Sequence, residues 1–128
     1  MLDSPFKSCG EAVESGGVRT LAPGATVLEA ALWLGQSKQG CIPIVDGGAL
    51  VGVISESDIV SKVVAQGLDP GSQRVDAHMT RDPRTVEHDA PVEQALLVMN
   101  DYGCRHVPVM LGGSVMGVIS AKSLLAMA

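Results

Sequence analysis

From residue 26 the chain reads TVLEAALWL, with apolar residues at Val27, Ala30, Ala31 and Leu34, the spacing of one helical face. Thr26 is placed to cap the first turn, and Glu29 three residues later completes a capping-box pattern. The run CIPIV at 41–45 changes to a nearly continuous, branched apolar stretch, which predicts a buried strand. Asp46-Gly47-Gly48 is a hairpin turn, and LVGVIS at 50–55 is the returning strand. A second helix starts near Ser55 or Ser57 and runs to Gly67, a candidate C-cap. With a short first strand around Arg19-Thr20-Leu21, the predicted order is β-α-β-β-α.

The same order recurs. A shift of 65 residues lays 19–59 over 84–124 without a gap, and 13 of the 41 pairs are identical. Among them are Arg19/Arg84, Ala30/Ala95, Pro43/Pro108, Gly47/Gly112, Gly48/Gly113, Gly52/Gly117 and Ser55/Ser120. Such agreement marks a duplication. In the second copy Pro91 replaces the capping threonine, and Val92, Ala95, Leu96 and Met99 form the apolar helical face. Pro43 and Pro108 lack an N–H, which suits an edge or the non-bonded side of a strand. The expected organisation is a first repeat at 1–67, a connector and lead-in at 68–83 and a second repeat at 84–128. Each copy is too small to bury a core well alone, so the fold class is α+β, with two repeats packed as one pseudo-twofold module.

Composition narrows the function classes. Hydrophobic residues make up 46% and charged residues 18%, a folded composition, while Phe, Tyr and Trp occur once each, so Val, Leu, Ile, Ala and Met must fill the core. A net charge of −5 disfavours a nucleic-acid partner. No run approaches the roughly 20 apolar residues of a membrane span, and the first ten residues lack a signal-peptide pattern, so a cytoplasmic location is expected. Cys9, Cys41 and Cys104 are too few and scattered for a disulfide scaffold and read as free thiols. Cys104, His106 and Asp101 are close in sequence but lack an oxyanion motif, and the spacings of His78, His88 and His106 match no standard metal pattern. No catalytic residue and no metal ligand is assigned, and a non-enzymatic protein is expected.

The strongest local signal is Gly-Val-Ile-Ser. Gly52 and Gly117 sit inside returning strands, where close approach by another backbone or a ligand would favour glycine. Ser55 and Ser120 follow at the strand-to-helix junction, and Asp58 stands one turn beyond Ser55. A carboxylate there can accept two hydroxyl hydrogen bonds, as from a ribose diol, while serine and free N–H groups serve a phosphate. Helix capping by serine and aspartate explains the same residues without a ligand.

The doubled pattern of Ala-rich helix, hydrophobic-Pro-hydrophobic strand, Gly-Gly turn and Gly-x-Ile-Ser-x-x-Asp resembles the CBS domain pair, or Bateman module, over residues 10–128. The resemblance implies a regulatory or sensing module that does not catalyse, forms a homodimer and binds AMP, ADP, ATP or S-adenosylmethionine between its repeats. Carried over, Ser55 and Asp58 become the phosphate or ribose contact and the ribose carboxylate. Gly40, Cys41 and Ile42, or Arg105, His106 and Val107, become the adenine-side wall. The Asp58 cleft would recruit Met79 to Arg84 and the Cys104 to His106 entrance. Arg19, Arg84, Arg105 and Lys122 are the candidate phosphate cations. The Ser120 cleft departs from the family pattern: Ser123 holds the carboxylate position, and the 65-residue shift sets Glu14 against Met79. One competent and one altered cleft are expected, with a regulated protein as possible partner. The alternative is a structural or protein-interaction module that has lost its ligand.

Overall fold

The structure is a computed structural model and describes residues 8–13, 17–37, 39–122 and 124. Its elements are helix α1 (Cys9–Ala12), α2 (Val27–Gln36), strands β1 (Cys41–Asp46) and β2 (Ala49–Ser55), α3 (Glu56–Ile59), β3 (Thr80–Arg81), β4 (Val86–Glu87), α4 (Val92–Tyr102), β5 (His106–Leu111) and β6 (Ser114–Ser120). The chain forms an α+β fold of tandem β-α-β-β-α-like repeats. The chain divides into two compact units, one of them discontinuous in sequence. Arg19–Pro83 make one, and the segments up to Val18 and from Arg84 onward make the other.

In the Arg19–Pro83 unit, Val27, Ala30 and Leu34 of α2 are buried, as the helical spacing requires, and the Thr26 hydroxyl accepts from the Glu29 N–H at 3.1 Å. β1 and β2 form an antiparallel hairpin through Gly47 and Gly48, whose φ values of 58° and 86° suit glycine at both central turn positions. The expected first strand shrinks to a parallel bridge between Leu21 and Ile44. There the Leu21 N–H donates to the Pro43 carbonyl, and the Val45 N–H to the Leu21 carbonyl. A strand residue's N–H and C=O point the same way, so the N–H missing at Pro43 faces Leu21 and costs the β1–β2 ladder nothing. α3 continues into a π turn over Val60–Val64 and closes when the Gly67 and Leu68 N–H groups donate back to Val64 and Val63. Two 3-10 turns, Pro70–Ser72 and Val75–Ala77, then lead to β3, the third strand of the β1-β2-β3 sheet.

The other unit repeats this plan with the sheet order β4-β5-β6. Its hairpin turns at Gly112 and Gly113, and its ladder shifts register between Val109 and Met110, 65 residues after the shift at Ile44 and Val45. β5 is flanked on both sides, so Pro108 is not at an edge. α4 has no side-chain cap at Pro91 and ends at Gly103 in the left-handed conformation. The final helix expected over Ser123–Ala128 falls mostly outside the described residues.

Each unit buries its own core. Ile42, Ile44, Ile54 and Val63 lead one, and Val92, Val107, Val109 and Ile119 the other. Full burial of such a side chain contributes about 1.5–3 kcal/mol. Cys9 and Cys41 are buried and Cys104 half-buried, and none of the three is in a disulfide. Burial pushes the Cys9 thiol up against the opposing hydrogen bond to the Ala95 backbone, with Glu93 adding to the rise.

The interior glycines have a packing reason. A Cβ on Gly52 would run into the Met79 side chain and stand 2.9 Å from the Thr80 carbonyl oxygen, while one on Gly117 would run into Val13. The neighbours are protein, so close approach by a ligand is not needed to explain either position. Val13 does for Gly117 what Met79 does for Gly52, a separation of 66 rather than 65 residues.

Gly52→Ala is expected to lower the unfolding free energy by about 1–3 kcal/mol, since the Thr80 backbone cannot swing aside. Gly35→Ala, in α2 with nothing within 4 Å of the added carbon, is the control and should be neutral or stabilising by up to about 1 kcal/mol. Urea unfolding of both variants checks this, and equal midpoints would contradict the packing role of Gly52.

Candidate ligand site

The end of β2 fixes the start of α3. Ser55 is the last residue of the strand and the N-cap of the helix, with extended φ and ψ of −115° and 170°. Its hydroxyl accepts from the Asp58 N–H at 3.3 Å, and its own N–H donates to Asp58 Oδ2 at 2.9 Å, a reciprocal capping box. The Ser55 hydroxyl also donates to Oδ2 at 3.0 Å and lies 2.9 Å from the Ser57 hydroxyl. Among the described residues Asp58 is the only buried polar or charged one. A buried carboxylate demands partners, and Oδ2 has two.

The other oxygen faces a cation. Lys62, one turn further on, places Nζ 2.9 Å from Asp58 Oδ1 and donates at 3.0 Å to the His78 carbonyl oxygen. Lys62 was not among the cations singled out from the sequence, although its i,i+4 distance from Asp58 on a predicted helix was a usable signal. The His78 ring in turn lies 2.8 Å from Gln73 Oε1.

The other sequence-selected positions divide between the two units. In the Arg19–Pro83 unit, Cys41 pairs with Ser55 and Ile42 with Ile54 across the β1–β2 ladder, so the strand entrance after Gly40 lies beside the serine. Cys41 and Ile42 are 1% and 0% exposed, backbone included, so neither presents surface in this structure. Gln39 Nε2 contributes to that cover, donating to the Cys41 carbonyl at 2.8 Å and to the Arg19 carbonyl at 3.1 Å. Gln39 was not selected from the sequence, and nothing in its local pattern marks it. Met79 is buried against Gly52, and Arg19 is exposed.

In the other unit His106 pairs with Ser120, and the Ala121 N–H donates to the Arg105 carbonyl at 2.9 Å. The Arg105 and Lys122 side chains are exposed. The Arg84 guanidinium sits 4.1 Å from the Tyr102 ring centroid, a cation–π contact that holds it on α4. Ser123 and Glu14, on which the expected defect of the second cleft rests, lie outside the described residues. Among the described residues no group of His, Cys, Asp and Glu is arranged to hold a metal ion, and no helix is long and apolar enough to cross a membrane.

The CBS domain family model matches residues 12–65 and 75–127. The chain belongs to the CBS domain family. The Bacillus subtilis protein YlbB is 34% identical over 100 residues, spanning 77% of this chain and 67% of YlbB. The chain spans 65% of a related 17.7 kDa protein of Acidianus ambivalens and 20% of the CBS domain-containing protein CBSCBSPB2 of Arabidopsis thaliana. The hexameric CBS-CP12 protein of bloom-forming cyanobacteria superposes with a TM-score of 0.86 at 27% identity, covering 97% of this chain and 74% of that one. The CBS domain pair of protein MJ0100, solved with 5′-methylthioadenosine and S-adenosyl-L-methionine, superposes at 0.83 with 27% identity and covers 95% of both chains.

Because Asp58 serves the cap as well as any ligand, its loss should show in stability. Ser55→Ala is expected to cost about 1 kcal/mol, the usual value of a lost N-cap. Asp58→Ala should cost more, about 1–3 kcal/mol, because it strands the buried Ser55 N–H. Urea unfolding measures both, and an Asp58→Ala variant as stable as wild type would remove the cap from the account.

Proposed function

We propose that this CBS pair is a regulatory module that binds an adenosine-containing ligand, AMP, ADP, ATP or S-adenosylmethionine, with Asp58 as the acceptor of the ribose diol. The observation that carries the proposal is the Ser55–Asp58 pair, a buried carboxylate at a strand-to-helix junction beside the backbone of Cys41. The adenosine-type ligands of the related MJ0100 pair support it. Ser55, Gly40, Cys41 and Ile42 would contribute on the Asp58 side. Met79, Arg84, Arg105, His106, Ser120 and Ser123 remain the candidates carried over from the family pattern.

Calorimetric titration of the four ligands into wild type and Asp58→Asn tests this. Asparagine keeps an acceptor oxygen for the Ser55 N–H but loses the anionic clamp, so affinity should fall about tenfold or more. Equal binding by both proteins would remove Asp58 from the ligand. Failure of every ligand at millimolar concentration would favour the alternative, a structural or protein-interaction module. That alternative draws support from the partners Asp58 already has in Ser55 and Lys62.

We further propose self-association through the helical side of the Arg19–Pro83 unit. Leu28, Leu32, Val60 and Val64 are 43–60% exposed there, as two pairs at i,i+4 spacing. A homodimer that covers them would move ligand state to a regulated protein only if the ligand favours one of two arrangements. Leu32→Glu combined with Val64→Glu is expected to turn the dimer into monomer in sedimentation velocity. A mass unchanged by the double substitution would place the interface elsewhere.

A further inference from the structure

Asp58 is approached from two sides. Oδ2 is taken by the N–H and hydroxyl of Ser55, at 2.9 and 3.0 Å, and Oδ1 faces Lys62 Nζ at 2.9 Å. A carboxylate offers about four acceptor positions, so the Ser55 pair accounts for one oxygen and a diol must come to the other. That is where the ammonium stands. Lys62 does not stop at Asp58, because the same Nζ donates to the carbonyl of His78 in the segment between the Val75–Ala77 turn and β3. This segment has other ties as well: the Val75, Asp76 and Asp82 N–H groups donate to the Ala25, Pro23 and Val51 carbonyls, the Met79 side chain lies against Gly52, and Thr80 and Arg81 pair with β2, so Lys62 is one tie among several.

We infer that Lys62 is an internal competitor for the ribose position of Asp58, and that its displacement ties ligand entry to a local loosening of the 75–82 segment at His78. The inference rests on Asp58 being the diol acceptor. The Lys62 side chain is 42% exposed and that of Asp58 12%, so the lysine is the member free to move. Once moved, Nζ gives up the His78 carbonyl along with Oδ1, and one tie between α3 and the 75–82 segment is lost. The chemistry of the ligand then matters. A neutral nucleoside displaces the ammonium and offers nothing in return, whereas a nucleotide carries an anionic phosphate that can receive it. Lys62 thereby acts as a selectivity residue for phosphorylated over neutral adenosine ligands.

The test pairs adenosine and AMP with wild type and Lys62→Met, a substitution that keeps an unbranched chain and removes the charge. In calorimetry the variant is expected to bind adenosine about fivefold tighter, the upper range for an exposed ion pair, and to narrow the preference for AMP. Hydrogen exchange of the 75–82 amides is expected to speed up in Lys62→Met without ligand, and in wild type when AMP is added. Adenosine affinity unchanged or weaker in Lys62→Met, with Asp58→Asn still weakening binding, overturns the competition while leaving the proposed ligand site standing. If neither protein binds either compound, the adenosine site and the competition both fall. Exchange at 75–82 then judges the tie alone: faster exchange in Lys62→Met sustains it, and identical exchange overturns it.

Discussion

The close approach of Met79 to Gly52 governs much of what surrounds the candidate site. A strand residue with a side chain at position 52 would push the incoming segment away from β2, and the pairing of Gly52 with Arg81 and Val53 with Thr80 would be lost. That pairing brings the 75–82 segment alongside the hairpin whose final residue, Ser55, starts α3. The His78 carbonyl consequently lies within reach of Lys62, and Lys62 within reach of Asp58. A missing side chain in a strand thus supports an ion pair on a neighbouring helix. The other unit uses the same device at Gly117 with Val13, so the constraint belongs to the repeat and not to one copy.

Much of this was readable in the sequence because it is local and periodic. The apolar faces of α2 and α4, the paired glycines of the hairpin turns and the cap at Thr26 each follow from residues within about one turn of one another. The duplication extended this reach, since a 65-residue shift aligned the copies even at the register change in each hairpin. What escaped was non-local. No short-range pattern tells that Val13 docks on Gly117 across about a hundred residues of chain, or that Gln39 clamps the carbonyls of Arg19 and Cys41. The Leu21 strand was overestimated for a related reason: its bonds depend on a single partner, Ile44, and alternation alone does not reveal how many rungs form. At the site, Ser55 and Asp58 could be found from their three-residue spacing, whereas the search for cations took Arg19, Arg84, Arg105 and Lys122 and passed over Lys62.

In the proposed reading, Asp58 serves both the fold and a ligand. Capping a helix and receiving a diol are often treated as rival explanations of the same aspartate, but the two oxygens need not share the work. Oδ2 is committed to the Ser55 backbone and hydroxyl, which holds the side chain in one orientation. Oδ1 meets only the exposed, four-carbon arm of Lys62, a partner that can leave at small cost. An orientation fixed by the cap also reduces the ordering that a ligand would otherwise have to impose. In the proposed reading, the structural role is a preparation for binding.

The second copy tests whether Asp58 and Lys62 form one unit. In the 65-residue alignment Ser123 stands opposite Asp58, and the same shift sets Met127 opposite Lys62. Both members of the ion pair are replaced by uncharged residues, while Ser55 and its strand keep their counterparts in Ser120 and Val-Ile. Removing the lysine alone would leave a buried carboxylate with one oxygen short of a partner. Joint replacement avoids that penalty. The two copies therefore differ by the whole Asp–Lys pair and not by one aspartate alone.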